Sequence, residues 1–106
     1  MPQLEIVETP IFTEDIDRIL GPDEYRKLQL ELVTSPTKGT LIKETGGARK
    51  LRFAIPGKGK SGGIRIIYYY KVEERIYLLL VYKKSKQENL TPKQCKALKA
   101  LIERIK

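Results

Sequence analysis

Apolar and polar residues repeat with two different periods along the chain, and the change of period divides it. Residues 4–8, Leu-Glu-Ile-Val-Glu, predict a short strand with Leu4 and Ile6 on one face. Thr9-Pro10 then supplies a helix cap and a first-turn proline, after which Ile11, Phe12, Ile16, Ile19 and Leu20 recur at helical spacing until Gly21. A second helix is predicted from Pro22, where Asp23 and Glu24 set negative charge against exposed backbone N–H groups. Tyr25, Leu28, Leu32 and Val33 form its buried stripe, and Ser35-Pro36 ends it. Residues 37–47 read as a loop rich in Gly, Thr and Lys.

Beyond that loop the period is two. Leu51, Phe53 and Ile55 face one way while Lys50 and Arg52 face the other, which predicts a strand with one apolar and one cationic side. The Gly- and Lys-rich loop from Pro56 to Gly63 joins it to a second strand, Ile64 to Lys71, as a hairpin with a long tip. A third strand, Ile76 to Tyr82, is apolar almost throughout, the pattern of a strand covered on both faces in mid-sheet. Thr91-Pro92-Lys93-Gln94 forms a capping box that opens the last helix. Its stripe is Cys95, Leu98, Leu101, Ile102 and Ile105, and Lys93, Lys96 and Lys99 lie away from it. The order β-α-α-β-β-β-α predicts an α+β fold, a small antiparallel-rich sheet with two N-terminal helices and one C-terminal helix. With no repeat or linker, the 106 residues are expected to form a single domain over residues 1–106.

Charge changes the picture. Residues 1–36 hold three basic and eight acidic side chains, net −5, whereas residues 37–106 hold eighteen and five, net +13. Between Glu44 and Glu73 no acid occurs, yet seven cations do: Arg49, Lys50, Arg52, Lys58, Lys60, Arg65 and Lys71. Such a window is an electrostatic footprint for phosphate, and nucleic acid presents phosphates at that density. The longest apolar run, Ile76 to Tyr82, has seven residues, too few to span a membrane. Glu5 and Glu8 interrupt any secretory leader, and the single Cys95 has no partner for an internal disulfide. These features predict a cytoplasmic protein without a membrane partner.

The chain contains no histidine, which excludes Ser-His-Asp and Cys-His nucleophile arrangements and ordinary zinc sites. Cys95 is expected in the core, and the acids Glu14, Asp15, Asp17, Asp23 and Glu24 at helix starts and exposed faces, so no metal site and no cofactor are assigned. Ala54-x-x-x-x-Gly59-Lys60-Ser61 fits a loose phosphate-loop pattern, but it leads into a strand, where a phosphate loop needs a helix N-terminus. Lys, Arg and Tyr remain. Lys50 and Arg52 share a sheet face, the hairpin brings Arg65 and Tyr69 beside them if the register permits, and Lys84 follows the third strand.

Such a group is able to cleave RNA without imidazole. The reaction requires a base for the 2′-OH, cations for the charge building on phosphorus, and an acid for the leaving 5′-oxygen. Two like charges about 5 Å apart repel by roughly 3 kcal/mol at an effective dielectric of about 20, enough to bring a crowded lysine toward a working proton-transfer range. The same cations also suit RNA contact without chemistry. Tyr68, Tyr69, Tyr70, Tyr77 and Tyr82 suit either base stacking or sheet packing.

Four segments carry a resemblance: Gly46-Gly47-Ala48-Arg49-Lys50-Leu51-Arg52, Pro56-Gly57-Lys58-Gly59-Lys60-Ser61-Gly62-Gly63-Ile64-Arg65-Ile66-Ile67-Tyr68-Tyr69, Leu79-Leu80-Val81-Tyr82-Lys83-Lys84 and Asn89-Leu90-Thr91. With Val7 to Phe12 and Asp23 to Tyr25, they resemble the HigB-like branch of the RelE/ParE toxin superfamily. The resemblance implies the toxin of a type II toxin–antitoxin system, a ribosome-dependent endoribonuclease that cuts mRNA in the decoding site and leaves a 2′,3′-cyclic phosphate. It implies a cognate antitoxin, the ribosome and mRNA as partners, with operator DNA bound only through the antitoxin complex. By motif, Lys50, Arg52, Arg65 and Lys84 are the catalytic candidates, with proton transfer by Lys50 or Lys84 and phosphate stabilisation by Arg52 and Arg65. Arg49, Lys58, Lys60, Lys83, Tyr69 and Tyr82 complete the candidate RNA-binding set. The sequence departs from the pattern where Lys86 replaces an acid usual after Lys84, and where Leu90 occupies the region of the C-terminal catalytic tyrosine of RelE itself. Two alternatives share the sequence features: a ParE-like gyrase poison without nuclease activity, and an RNA-binding module without catalysis.

Overall fold

The most apolar segment of the chain lies between two other strands, where both of its faces and both of its edges are covered. A computed structural model of the protein describes residues 4–55 and 63–106. Its elements are β1 (Glu5–Glu8), α1 (Pro10–Ile19), α2 (Pro22–Thr34), β2 (Thr40–Leu41), β3 (Arg49–Phe53), β4 (Ile64–Lys71), β5 (Arg75–Lys83) and α3 (Pro92–Ile105). The strands form one mixed sheet in the order β1-β5-β4-β3-β2, with β1 parallel to β5 and the other pairs antiparallel. The fold is α+β, as the periodicity predicts.

α1 and α3 begin where their cap residues dictate. Thr9 accepts from the Phe12 N–H, and its hydroxyl donates to the Leu79 carbonyl, so the α1 cap is tied to β5. Thr91 and Gln94 form the reciprocal capping box expected at α3. On one face of the sheet, Phe12 and Ile16 of α1 and Leu28 and Leu32 of α2 pack against Leu51, Ile64, Ile66, Tyr68, Ile76 and Leu78. Leu98 and Ile102 of α3 cover Ala48, Ile67 and Leu79 on the other. A bulge reconciles the two: Ile67 pairs with Leu80 but Tyr68 with Leu78, so Leu79 stands unpaired. Leu79 and Leu80 therefore both face α3, while Leu78 and Val81 face α1 and α2.

Three expectations need correction. Residues 37–47 contain β2 and a closed turn, where the sequence predicts only a loop. The buried Thr45 hydroxyl donates to the Ile42 carbonyl and accepts from the Ala48 N–H, and Ile42 N–H bonds the Ala48 carbonyl at 2.9 Å. Gly46 and Gly47 take φ of 78° and 123° there, which side chains resist. Two residues of strand are too few to show a period. Ile11, expected in the α1 stripe, is 54% exposed because Phe12, Ile16 and Leu20 already fill the sheet-facing side. Cys95 is half-buried, with Leu98 and Ile102 supplying the buried part of α3.

Tyr68 joins the sheet to the segment before β2. Its buried hydroxyl donates to the Pro36 carbonyl at 2.8 Å and accepts from the Gly39 N–H at 2.9 Å. Tyr68→Phe deprives both groups of their partner, and we expect a loss of about 1–3 kcal/mol in urea unfolding. Burial raises the Tyr68 phenol above its ordinary 10.0, opposed by the Gly39 hydrogen bond and the Arg49 charge. The folded protein thus keeps a proton that the unfolded chain releases. Stability from this group is complete below pH 10.0 and declines as pH rises through the folded value. Tyr68→Phe should flatten that alkaline decline, which unfolding curves across the range will read.

Candidate functional site

Alternation along β3 decides which side chains meet. Leu51 is buried beneath α1 and α2, so Lys50 and Arg52 project from the opposite, α3-facing side. On β4, Ile64, Ile66 and Tyr68 share the side of Leu51, and Arg65 and Ile67 take the other. The register sets Arg52 opposite Arg65 and Arg65 opposite Tyr82, and the next row is Lys50, Ile67 and Leu80. Lys50, Arg52, Arg65 and Tyr82 therefore occupy adjacent positions on one face. Side chains directly opposed across strands stand roughly 5 Å apart at Cβ, where like charges destabilise a sheet.

No acid relieves that repulsion. The ion pairs among the described residues are Arg18–Glu14, Lys38–Glu31, Lys71–Glu74 and Arg75–Glu5, none within the row. Arg65 is only 9% exposed, and its guanidinium donates at 3.2 Å to the carbonyl of its own neighbour Ile64. A largely desolvated cation without a counter-ion is unfavourable by itself and favours an incoming anion. Beside it, the Tyr82 hydroxyl is buried and has no hydrogen-bond partner among the described residues. Burial raises the Tyr82 phenol above its ordinary value, the Arg65 charge opposes the rise, and Cys95 adds to it. Near neutrality the phenol is therefore a proton donor without an acceptor among the described residues.

The remaining candidates are distributed differently. Lys84 lies exposed one residue beyond β5, where its N–H donates to the Gly63 carbonyl at 3.2 Å, so alternation carries it toward the side of Tyr82. Arg49 faces the α1/α2 side opposite Tyr68, and its guanidinium donates to the carbonyls of Thr37 and Gly39 at 3.1 and 2.8 Å. It braces the turn before β2 and stands apart from the row. Lys83 pairs with Ile64 and likewise points away. Tyr69 packs against Tyr77, ring centroids 6.4 Å apart, on the α3 side. Lys58 and Lys60 lie outside the described residues.

The sequence did not bring Lys38 and Thr40 to this region. Thr40 pairs with Lys50 across the β2–β3 hairpin. With Lys38, Leu51 and Arg52 these residues line an open cavity of about 360 Å³. A larger cavity of about 690 Å³ lies beside α1 and α2, but Glu8, Glu14 and Asp17 line it and repel phosphate. Among the described residues no group of three His, Cys, Asp or Glu side chains is placed to hold a metal ion.

The family model described as the RelE toxin of the RelE/RelB toxin–antitoxin system matches residues 27–106, a span that holds the whole cationic row and α3. The chain belongs to the RelE toxin family. It is the toxin of a toxin–antitoxin system, and the family implies an antitoxin as its partner. No helix of the described toxin is long and apolar enough to cross a membrane.

If the toxin holds Arg65 against its own stability, an apolar side chain of similar length should relieve the fold. Arg65→Met is expected to raise the unfolding free energy by about 1 kcal/mol. A loss of that size in urea denaturation would show that Arg65 instead holds the sheet together.

Proposed function

We propose that the toxin is an endoribonuclease of the HigB-like branch that cuts messenger RNA on the ribosome, with the scissile phosphodiester over Arg52 and Arg65. The observation that supports this most is the like-charged pair itself: two arginines opposed in register, one of them mostly buried, with no acid beside them. Arginine stays protonated in proteins and forms a fork for phosphate oxygens, so this pair supplies the fixed positive charge that a pentavalent phosphorus develops against. Lys50, one row away, or Lys84 takes the proton from the 2′-OH, and the other protonates the leaving oxygen. The 2′-oxygen bonds to phosphorus as the bond to the 5′-oxygen breaks. The products are a 2′,3′-cyclic phosphate and a 5′-hydroxyl, and no water is consumed. The Tyr82 hydroxyl, which has no acceptor among the described residues, suits a phosphate oxygen drawn in by Arg65.

The antitoxin would neutralise the toxin by covering the same face with acidic side chains, and operator DNA would be bound through the antitoxin. Net charge of +13 over residues 37–106 favours such a partner.

Induced expression in bacteria followed by mapping of mRNA 5′ ends tests the reading. We expect cuts phased with the reading frame, reduced on the order of 100-fold or more by Arg65→Ala. Intact mRNA with broken chromosomes would indicate a gyrase poison, and harmless expression a binding module.

A further inference from the structure

The cavity beside β3 lies at the sheet's edge, where β2 ends early. β2 pairs only with Arg49 and Lys50, so among the described residues the edge of β3 away from β4 has no strand alongside Leu51 to Phe53. Lys38, Lys50 and Arg52 bring three cations to the cavity, Thr40 adds a hydroxyl, and no acid lines it. Arg65 lies one strand spacing beyond β3 and Thr40 one spacing on the other side, a separation on the order of 10 Å. At the backbone that span is wider than one phosphate group. The cavity and Arg65 thus lie on opposite sides of β3, with Arg52 and Lys50 between them.

We propose that the cavity of Lys38, Thr40, Lys50 and Arg52 is a second phosphate subsite, which holds the RNA phosphodiester next to the one over Arg65 and so fixes the direction of the strand across the sheet. The proposal rests on the nuclease reading above. Lys38 is the residue this subsite adds. Its side chain is more than half exposed and pairs at 3.5 Å with Glu31 of α2, an interaction weak enough for a phosphate to displace. Glu31 thus acts as a competitor that RNA must replace. A phosphodiester is favoured over a carboxylate partner because the cavity continues without interruption into Arg52, which the reaction itself uses.

Binding of uncleavable 2′-O-methyl RNA to the purified toxin, at several salt concentrations, distinguishes the two subsites. A single-stranded decamer reaches both, and a dinucleoside monophosphate carries one phosphodiester only. Lys38→Gln should weaken the decamer roughly fivefold near 0.1 M salt and reduce the salt slope by about 0.7, one single-strand phosphate contact. It should leave the dinucleoside unchanged. Glu31→Gln should tighten the decamer, since it frees Lys38, while Arg65→Ala should weaken both probes. Decamer binding unaltered by Lys38→Gln and Glu31→Gln overturns the subsite. So does equal weakening of both probes by Lys38→Gln, which would place Lys38 at the same phosphate as Arg65. Loss of antitoxin affinity with RNA binding intact would assign the cavity to protein instead. Indifference of both probes to Arg65→Ala is a separate result, and it refutes the nuclease reading itself.

Discussion

The register between β3 and β4 is the constraint on which the site depends. Leu51 opposite Ile66 is buried beneath α1 and α2, and that burial leaves Arg52 and Arg65 opposed on the other face. A slip of one residue would turn Leu51 outward and bury a cation among Phe12, Leu28 and Leu32, a change no interaction on that side offsets. The hydrophobic core thus fixes the position of charges that it does not touch. The bulge at Leu79 adds a second adjustment, because it sets Leu80 and Tyr82 on the α3 side while Leu78 and Val81 stay in the core.

Two classes of cation follow from this arrangement. Arg49 donates to backbone carbonyls of the turn before β2, and Lys71 lies near the Ile105 carbonyl at the C-terminal end of α3, where positive charge suits the helix dipole. These strengthen the fold. Lys50 and Arg52 have no such partners among the described residues, Arg65 reaches only the carbonyl of its own neighbour Ile64, and their mutual repulsion opposes folding. A sheet that keeps such a row has a use for it beyond stability.

Much of this was legible because it follows from local rules. The period of two in residues 50–55, the proline and capping signals at Thr9 and Thr91, and the apolar run of β5 each depend on near neighbours in sequence. So does the pairing of Arg65 with Arg52, once a hairpin is granted. Alternation also held a signal that motif matching passed over: Arg49 shares its parity with Leu51, and Lys83 with Val81, which sets both on the face away from the row. The hairpin of β2 was not legible, since two residues establish no period and its closure rests on the Thr45 hydroxyl and two glycines at positive φ. Lys38 was invisible for the same reason. Its place beside Lys50 exists only once that hairpin has formed.

In the proposed reaction, the cations of this face activate and stabilise attack by the RNA's own 2′-oxygen. Single-turnover cleavage on programmed ribosomes tests it when the nucleotide at the mapped cut carries 2′-deoxyribose and its neighbours remain ribose. The toxin is expected to bind this complex as tightly as the all-ribose one and to leave the message uncut. Cleavage at an undiminished rate would contradict it, because the nucleophile would then be water, for which this row of arginines and lysines offers no activating arrangement.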